Sequence, residues 1–483
     1  MKVKIIIFFT LFSAAVNGQI RQPHSLYFME TIPQISQMNP AFQPRANGYV
    51  MLPNVNVSYL NDLAVKDIFQ KKGNNWYMPF ERQYDYNKLW KSIGKKATKL
   101  NVSADVDLIG FGFRTINGYF SFGISEHLSG NFALPSDLFK LADKGPSKET
   151  FDFSYLSTQG IAYMQVLIGY STKVNDRLSI GMNIKPLFGQ AALSTKIDKF
   201  ELKTNEQQWV LDAKGSVNSS LPVDEVILDA EGKIKDINFR DFDDYESKDW
   251  MKKYGTALNN PGIALDLGAA YQINERLTAS ASLNNLGFIS WNNDLNGITF
   301  NGKYRFNGIH YDTSKDDKIK DLFKSLGDSI ADAMNYVVQH DKFKTMLSPI
   351  LHAGATYSLS RAISVGFLSR SVFLQKGIYQ SFNASFNLQP YNFLSFNAGT
   401  TWQVKGNAYL NSGLMLSLGP LQFYALLDYV PICYSNVWIN GKKIFPAPER
   451  LKSVTGRVGL NFVFGKHGYV NKPMLDKGVS SWK

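Results

Sequence analysis

The feature that most constrains this chain is a strict alternation of apolar and small polar residues along extended runs. From Ile263 to Ile273 every second residue is apolar or aromatic. A short turn of Asn274, Glu275 and Arg276 follows, and the alternation resumes from Leu277 to Leu283. A period of two is that of a β-strand, whose successive side chains point to opposite faces. The segment is therefore predicted to be a long β-hairpin with one apolar face.

The same alternation recurs through the last third of the chain, in the ranges Leu351–Leu359, Phe382–Leu388, Leu394–Trp402 and Val454–Phe464. Several of the runs reach about ten residues, whereas strands of soluble proteins average about five or six. A tilted strand needs about 9–11 residues to cross the hydrocarbon core of a membrane. Strand length therefore favours a transmembrane barrel.

The polar face of these strands is made mostly of Asn, Ser, Thr and Gly, and only 19% of the residues are charged. A soluble β-sandwich would show Lys and Glu on that face, whereas small polar residues suit the interior of a barrel. We predict an all-β fold, a transmembrane antiparallel β-barrel; a large secreted β-sheet protein is the alternative. Aromatic residues near the predicted strand ends are assigned to interfacial girdles: Trp291, Trp402, Tyr429 and Phe464.

Counting the runs predicts about 14 strands, within a range of about 12–16, over residues 48–465. Long polar insertions separate some of them, including residues 200–261 and 292–349. The second insertion has apolar residues at helical spacing, which predicts an amphipathic helix. Its apolar face, which packs on the barrel or gates a ligand, contains Leu322, Phe323, Leu326 and Ile330. Residues 466–483 form a C-terminal tail.

The N-terminus combines an export signal with a proline-rich segment. Residues 1–18 contain two lysines, a short apolar run and small residues, which is typical of a cleaved secretory signal peptide. Residues 19–47 contain repeated prolines, which remove donors from a β-ladder, so we predict a plug or latch rather than a strand. Its candidate latch is Asn39, Pro40, Ala41 and Phe42; a partner-docking peptide is the alternative.

Polar residues expected inside the barrel are the candidate functional side chains. The alternation places six of them on the inward face of their strands: Asp105, Asp107, Asp266, His352, Asp428 and Arg457. Water or mutual pairing satisfies such groups in a lumen far more easily than lipid does. They would either tune the selectivity of a pore or form a polar network that obstructs it.

Other chemistry finds little support in the sequence. A single cysteine, Cys433, excludes disulfide scaffolds and cysteine-rich metal sites, and no hydrolase or metalloprotease motif occurs. We therefore expect no enzymatic activity, no cofactor and no metal. Basic pairs are dispersed, so nucleic acid is not an expected partner. Without residues 1–18 the formal charge is 50 − 40 = +10, which is compatible with anionic outer-membrane lipid or lipopolysaccharide.

Several stretches resemble a known family. They are Met38–Pro44 (MNPAFQP), Gly262–Ala269 (GIALDLGA), Ala281–Trp291 (ASLNNLGFISW) and Gly459–Gly465 (GLNFVFG). Together they are similar to a family of Bacteroidota outer-membrane barrels classed as a domain of unknown function, akin in kind to barrels of the FadL and PorV type. The resemblance implies an outer-membrane barrel in a Gram-negative bacterium, and it implies no substrate or catalytic residue.

Two functions follow as expectations. The first is a FadL-like channel or transporter for small or hydrophobic molecules, which requires a cavity beside the amphipathic helix. The second is a non-channel docking partner of a surface or protein-secretion complex, which requires a blocked lumen and an exposed apolar patch on the loops or the barrel wall. An outer-membrane hydrolase is a third hypothesis, for which Ser, His and a carboxylate would have to lie within hydrogen-bond reach.

Overall fold

The computed structural model describes residues 22–64, 67, 69–72, 75–77, 85–94, 96–144, 150–205, 208–221, 223–228, 234–239, 259–306, 336–374, 377–404, 408–429, 434–439, 442–448 and 452–466. The predicted signal peptide, the predicted amphipathic helix with Leu322, Phe323, Leu326 and Ile330, and tail residues 467–483 lie outside these ranges.

Strands dominate the described chain. In order they are β1 (Ala46–Met51), β2 (Asn54–Asn61), β3 (Gln70–Lys72), β4 (Asn75–Tyr77), β5 (Ala97–Arg114), β6 (Gly118–Pro135), β7 (Thr150–Asp152), β8 (Ser157–Lys173), β9 (Leu178–Lys203), β10 (Trp209–Ser220), β11 (Val223–Leu228), β12 (Ile234–Phe239), β13 (Pro261–Gln272), β14 (Leu277–Trp291), β15 (Leu295–Phe306), β16 (Tyr336–Gln339), β17 (Phe343–Met346), β18 (Ile350–Ser358), β19 (Ile363–Leu374), β20 (Gly377–Tyr391), β21 (Leu394–Gln403), β22 (Ala408–Leu418), β23 (Leu421–Asp428), β24 (Tyr434–Ile439), β25 (Lys442–Pro448) and β26 (Ser453–Lys466).

Helices are few and short among the described residues. Two 3₁₀ helices span His24–Phe28 and Pro33–Gln37, and two α-helices follow, α1 (Tyr86–Ser92) and α2 (Ser136–Lys144). Asp85 caps α1 by accepting a hydrogen bond from the Asn87 amide. None of the helices in the described ranges is both long and apolar enough to cross a membrane.

The strands close into one antiparallel barrel of 14 strands, which confirms the predicted fold and strand count. β1 and β2 act as a single barrel strand that is interrupted at Leu52 and Pro53. The ring closes because β26 pairs with β23 on one side and with β1 and β2 on the other, with Val458 opposite both Ala425 and Val55. Closure leaves no unpaired ladder edge in the ring of described barrel strands, which is the condition for strands to span a bilayer.

The two faces of the wall have opposite chemistry. On β5, Phe111 and Phe113 point outward and are 40% and 46% exposed, while Asp105 and Asp107 point inward and are buried. From Val102 to Phe113 the outward side of β5 spans roughly 28 Å along the barrel axis at about 3.3 Å per residue and about 40° tilt. That height matches the apolar belt of an outer-membrane barrel, about 25 Å.

The two ends of the barrel differ in their connections. At one end, adjacent strands are joined by short turns at residues 115–117, 174–177, 273–276, 359–362, 392–393 and 419–420. The connections after β2, β6 and β14 at the other end are much longer. In outer-membrane barrels the short turns are periplasmic and the long connections extracellular.

A sheet extends beyond the barrel at the long-connection end. The 26 residues of β9 pair with β13 in their first half and with β10 in their second, and β10 continues to β15 and β16. Its core contains Leu141, Phe151, Phe153, Leu202, Trp209, Leu211, Ala213, Phe300 and Tyr304. We call this unit the extracellular sheet.

The structure corrects the interpretation of residues 200–261 and 292–349 as polar insertions, because strands lie there: β10, β15 and β16 in the extracellular sheet, β17 beside β14, and β11 paired with β12. The strands of the extracellular sheet lack the apolar alternation of the barrel strands because neither face of this sheet meets lipid. Charged residues therefore occupy positions that are apolar in strands within the membrane. A second correction concerns Trp291, which was assigned to a girdle. Trp291 points inward, is fully buried, and donates from Nε1 to Thr345 Oγ1 at 3.0 Å.

Candidate functional site

The candidate site is the segment Gln22–Pro44, called here the luminal segment, together with the wall that surrounds it. It is bonded to strands on all sides of the ring: β5, β8, β13, β14, β19, β20, β23 and β26. A segment with partners around the whole circumference lies within the lumen. The chain then leaves at the short-turn end to begin β1 at Ala46.

The luminal segment satisfies much of its backbone by itself. Successive i to i+3 hydrogen bonds run from Leu26 N to Pro23 O, Met29 N to Leu26 O, Ile32 N to Met29 O, Ile35 N to Ile32 O and Met38 N to Ile35 O, at 2.9–3.2 Å. The prolines explain this choice, because Pro23 and Pro33 cannot donate to a ladder and suit the start of a helical turn. Because these turns satisfy backbone amides within the segment, a segment without β-strands can be buried with its amides hydrogen-bonded.

Apolar side chains form the centre of the contact. Those of the segment are Leu26, Tyr27, Phe28, Met29, Ile32 and Met38, and those of the wall are Leu368, Met415, Tyr424 and Leu426. Leu26 and Ile32 are fully buried. At about 25 cal/mol per Å², burial of such side chains stabilises the seated segment by about 1.5–3 kcal/mol each.

Glycines in the wall make room for the segment. A Cβ added at Gly354 would lie 2.6 Å from the Tyr27 ring, and one at Gly413 would lie 2.6 Å from Met29 Sδ. Others would collide with the segment too, at Gly181 (Pro40 carbonyl), Gly268 (Asn39 side chain) and Gly366 (Phe28 ring). These glycines lie on five different strands, β9, β13, β18, β19 and β22. The wall is therefore contoured to the luminal segment.

His24 fastens the first turn of the segment to two strands. Its Nδ1 lies 2.5 Å from Asp428 Oδ2, its Nε2 lies 2.9 Å from Ser381 Oγ, and its amide also donates to Asp428. A carboxylate beside Nδ1 places the proton there, so the neutral ring accepts from the Ser381 hydroxyl through Nε2. We call these three residues the His24 clasp.

The His24 clasp has the connectivity of a Ser-His-Asp triad, which the hydrolase hypothesis requires. Attack on a substrate needs space for a carbonyl carbon at about 3 Å from the nucleophile. Ser381 is 0% exposed, and its hydroxyl is engaged with His24 on the luminal segment itself. In this conformation the three groups anchor the segment.

Arg457, a predicted luminal residue, lies where the segment meets β2, β5 and β23. Its guanidinium pairs with Asp107 at 2.5 Å, donates to Asn54 and Gln37, and also bonds to Gln22. Its Nε donates to the Tyr424 hydroxyl at 3.2 Å. A buried guanidinium is stable only when its donors are satisfied, and here the satisfying acceptors come from both the wall and the segment.

The predicted latch residues lie at the other end of the segment. Asn39 is fully buried, and its amide donates to the carbonyls of Ala269 and Ala281 at 3.3 and 3.2 Å. Its Oδ1 accepts from the Ala41 amide, which holds the turn around Pro40. Phe42 packs edge-on against Tyr27 at 5.1 Å. All four residues therefore contact either the wall or the segment.

The remaining predicted luminal residues are all buried and paired. Asp105 accepts from Asn56 and lies 2.9 Å from His127 Nδ1. Asp266 lies 2.6 Å from Lys185 Nζ. His352 contacts Ser282 Oγ through Nδ1 at 3.2 Å.

Sequence reasoning missed His24, His127, Lys185 and Arg370. The three wall residues continue the inward alternation of their strands, so extending the strand assignments would have found them. Arg370 donates to the Gln22 carbonyl at 2.6 Å. No periodic signal points to His24, because its partners Ser381 and Asp428 are hundreds of residues distant.

Described residues line two of the luminal spaces that adjoin the segment. One, of about 40 Å³, lies between it and the polar network and is lined by Gln22, Gln37, Met38, Asp107, Ser125, His127, Gln165, Leu167, Lys185, Asn284, Asn285, Ile350, His352 and Arg370. It holds water-sized guests, whereas organic ligands need about 300–1,000 Å³. The other, of about 400 Å³, lies at the short-turn end beside Tyr27, Phe28 and Phe42, with hydroxyls of Ser179, Thr278, Ser280, Thr356 and Ser358.

The opposite, upper side of the lumen is apolar. An apolar layer lies between β8, β9, β13, β14 and the chain around β17, and contains Ile161, Tyr163, Leu187, Ala192, Ala264, Ile289, Trp291 and Leu347. The lumen is thus layered along its axis, from an apolar upper side through a charged middle to the luminal segment. Within the described ranges, no cluster of three or more His, Cys, Asp or Glu residues could hold a metal ion.

Comparison with known proteins adds a family and several similar folds. A model described as a family of unknown function, DUF5723, matches residues 40–428. No curated protein matches the sequence.

Several solved barrels have a similar outline. The toluene transporter TbuX of Ralstonia pickettii is 9% identical, with a TM-score of 0.43 over 90% of this chain and 94% of that one. The toluene transporter TodX of P. putida is 9% identical, with a TM-score of 0.42 over 89% and 93%. A FadL homologue of Pseudomonas aeruginosa is 10% identical, with a TM-score of 0.41 over 93% and 98%.

Proposed function

Because this chain belongs to the DUF5723 family of unknown function, whose description states no activity, we propose its function from the geometry of its lumen: it is a gated outer-membrane transport barrel. The luminal segment is the gate, and solute passes when that segment leaves its seat. The proposal includes export through the predicted signal peptide and location in the outer membrane of a Gram-negative bacterium.

The fit between the luminal segment and the wall carries this proposal. Glycines on five strands accommodate its side chains, and the His24 clasp and Arg457 hold its polar groups. The segment is joined to the barrel only at its β1 end within the described chain, and it carries its own turn hydrogen bonds. It can therefore move as a unit without breaking the ladder of the barrel.

The solute class follows from the apolar layer. A solute that enters from the long-connection end meets Ile289, Trp291 and Leu347 before it reaches the charged middle of the lumen. Such a surface favours small molecules that are apolar or partly apolar. The apolar helix face predicted at residues 322–330 lies outside the described residues and stays part of the proposal. The proposal includes no catalytic step, and the serine of the His24 clasp, Ser381, has no exposed surface.

A docking partner of a surface or secretion complex is the second candidate. The observation that favours it is the same occupied lumen, since a barrel that serves as a platform has no need to open. The two functions differ in one respect: only a gate must be displaced.

A reversible tether tests the gate. The Ser25 Cβ lies 3.4 Å from the position of a Cβ at Gly413, close to the 3.5–4.5 Å range of disulfides. In a Cys433→Ser background, Ser25→Cys with Gly413→Cys should form a disulfide that fixes the segment to β22, with rotation of Met29. Planar-bilayer recordings should show openings under reducing conditions and silence after oxidation.

Two further proteins complete the test. Ser25→Cys alone in the same background should be insensitive to oxidation, and a variant without residues 19–47 should conduct continuously. If folded protein is silent both when reduced and when residues 19–47 are removed, the gate is excluded and the docking function is favoured.

A further inference from the structure

The extracellular sheet has one face that the transport proposal does not use. On β10, Trp209, Leu211 and Ala213 point into the sheet's core, so Val210, Asp212 and Lys214 point to the opposite face. The register places Lys203, Glu201 and Lys199 beside them on β9, and Arg305, Lys303 and Asn301 beside them on β15. Lys196 continues the same face opposite Ser216.

Positive charge predominates on this face. Its cations are Lys196, Lys199, Lys203, Lys214, Lys303 and Arg305, and its acids are Asp152 on the neighbouring β7, Glu201 and Asp212. These three acids form a single row across the strands, and a fourth acid, exposed Asp198, lies in the β9 bulge between Lys196 and Lys199, so the face carries 6 − 4 = +2. We call it the basic face.

The acids do not neutralise the basic face. Lys199 binds Asp212 at 2.8 Å and Glu201 at 3.5 Å, and Lys303 lies 3.9 Å from Asp212. The neighbouring lysines, with the Lys199 hydrogen bond as the main cause, lower the pKa of Asp212, so this carboxylate stays charged at neutral pH. Four exposed cations remain without an ion pair among the described residues: Lys196, Lys203, Lys214 and Arg305.

The height of the basic face excludes lipid headgroups as its partner. The apolar outward side of β9 continues to Leu193, because the bulge at Gln190 turns Ala191 and Leu193 outward; Lys199 and Lys203 follow six and ten residues later. At about 3.3 Å per residue and about 40° tilt, these distances are roughly 15 and 25 Å along the axis. Headgroups extend only about 5–8 Å beyond the hydrocarbon. The basic face therefore stands in the medium outside the membrane.

Its dimensions favour an extended chain over a folded partner. Four strands at about 4.8 Å spacing, and the seven residues from Lys196 to Lys203 at about 3.3 Å each, give a face of roughly 14 by 23 Å. A specific protein interface needs about 800 Å² on each side, which is more than twice as large. We propose that the basic face binds a segment of an acidic polysaccharide at the cell surface, through Lys196, Lys203, Lys214 and Arg305.

Heparin is the probe, with the full-length protein in nanodiscs of zwitterionic lipid. Each cation near an anionic surface contributes about 1 kcal/mol, so Lys203→Ala with Arg305→Ala should weaken binding by about tenfold or more. The matched control is Lys88→Ala with Lys91→Ala on α1, which removes the same charge from exposed positions and should change binding less than about twofold. Binding should also fall as salt increases.

Three results would overturn the proposal. The first is an equal loss of heparin binding in both double variants, which would indicate that net charge alone matters. The second is no heparin binding at 50 mM salt or below, where the screening length is about 14 Å. The third is binding of polyglutamate but not heparin, which would indicate an acidic protein as the partner. Vesicles that contain lipopolysaccharide serve as a further arm. If they bind through Lys203 and Arg305 while soluble heparin does not, a lipid-anchored partner replaces the polysaccharide.

Discussion

Single polar residues hold the luminal segment in place by pairing with the wall. His24 reaches Asp428 and Ser381, Arg457 binds Gln37, and Asn39 binds two backbone carbonyls. The side chains of His24, Asn39, Ser381, Asp428 and Arg457 are buried, so an unpaired partner among them has no water to replace what it loses. Anchoring at this scale therefore depends on complementary pairs more than on the number of bonds.

Removal of the His24 imidazole should release the first turn of the segment. His24→Ala leaves the Asp428 carboxylate buried without its main partner, which costs about 3–5 kcal/mol of folding free energy. Urea unfolding in detergent micelles measures this loss, and limited proteolysis should cut within residues 22–44. Glu30→Gln is the control in the same segment, because the Glu30–Arg45 pair is 56% and 39% exposed. Its effect should stay below about 1 kcal/mol, and equal effects would contradict the clasp.

At the scale of elements, the fit between segment and strands depends on residues that have no side chain. The wall glycines approach the segment so closely that a methyl group at Gly181 would meet the Pro40 carbonyl, which is backbone and cannot rotate away. Close approach to backbone is a use of glycine that a strand pattern does not reveal.

A methyl group at Gly181 should therefore loosen the segment and leave the barrel intact. Gly181→Ala is expected to cost about 1–3 kcal/mol through overpacking, and to increase protease cleavage within residues 22–44. The control is Gly456→Ala on the outer wall, where the nearest atom would be 3.7 Å away. That change should be neutral or slightly stabilising. Similar cleavage in both variants would show that the seat does not depend on the glycines.

At the scale of the whole molecule, the outer surface of the barrel strands contacts two environments, lipid along the belt and water beyond it. Lipid contacts an outer belt of alternating apolar residues, and the lumen gathers the polar ones around the segment. Beyond the belt, the same strands form a water-exposed sheet with its own core. Position along the strand therefore decides whether an outward residue meets hydrocarbon or water.

An outward charge should be tolerated beyond the belt but not within it. Leu414→Arg, at a 48% exposed position on β22, is expected to cost about 2–4 kcal/mol, because the guanidinium would face hydrocarbon near mid-membrane. Val337→Arg on β16, at a 65% exposed position of the extracellular sheet, should change stability by less than about 0.5 kcal/mol. Urea unfolding in phospholipid vesicles compares them. A small effect at Leu414 would move the belt away from β22.

Period-two alternation was enough to predict the barrel, its strand number and the inward direction of Asp105, Asp266 and His352, because orientation relative to a sheet is a local property of the chain. The extracellular sheet was missed because its outward residues do not meet lipid and carry no apolar signal. Trp291 was assigned wrongly because tryptophan suits both the apolar layer of this lumen and an interfacial aromatic girdle.

The proline-rich composition of residues 19–47 predicted a segment that is not a strand, and within the described residues this holds from Gln22 to Arg45, after which β1 begins at Ala46. Only the tertiary structure decided where the segment lies and what holds it, since His24, Ser381 and Asp428 meet through barrel closure. The glycine seats and the basic face likewise arise from register between distant strands. Contacts between residues that are distant in sequence depend on closure of the ring and on strand register. The polar and apolar faces of each strand, in contrast, are set by the order of its own residues.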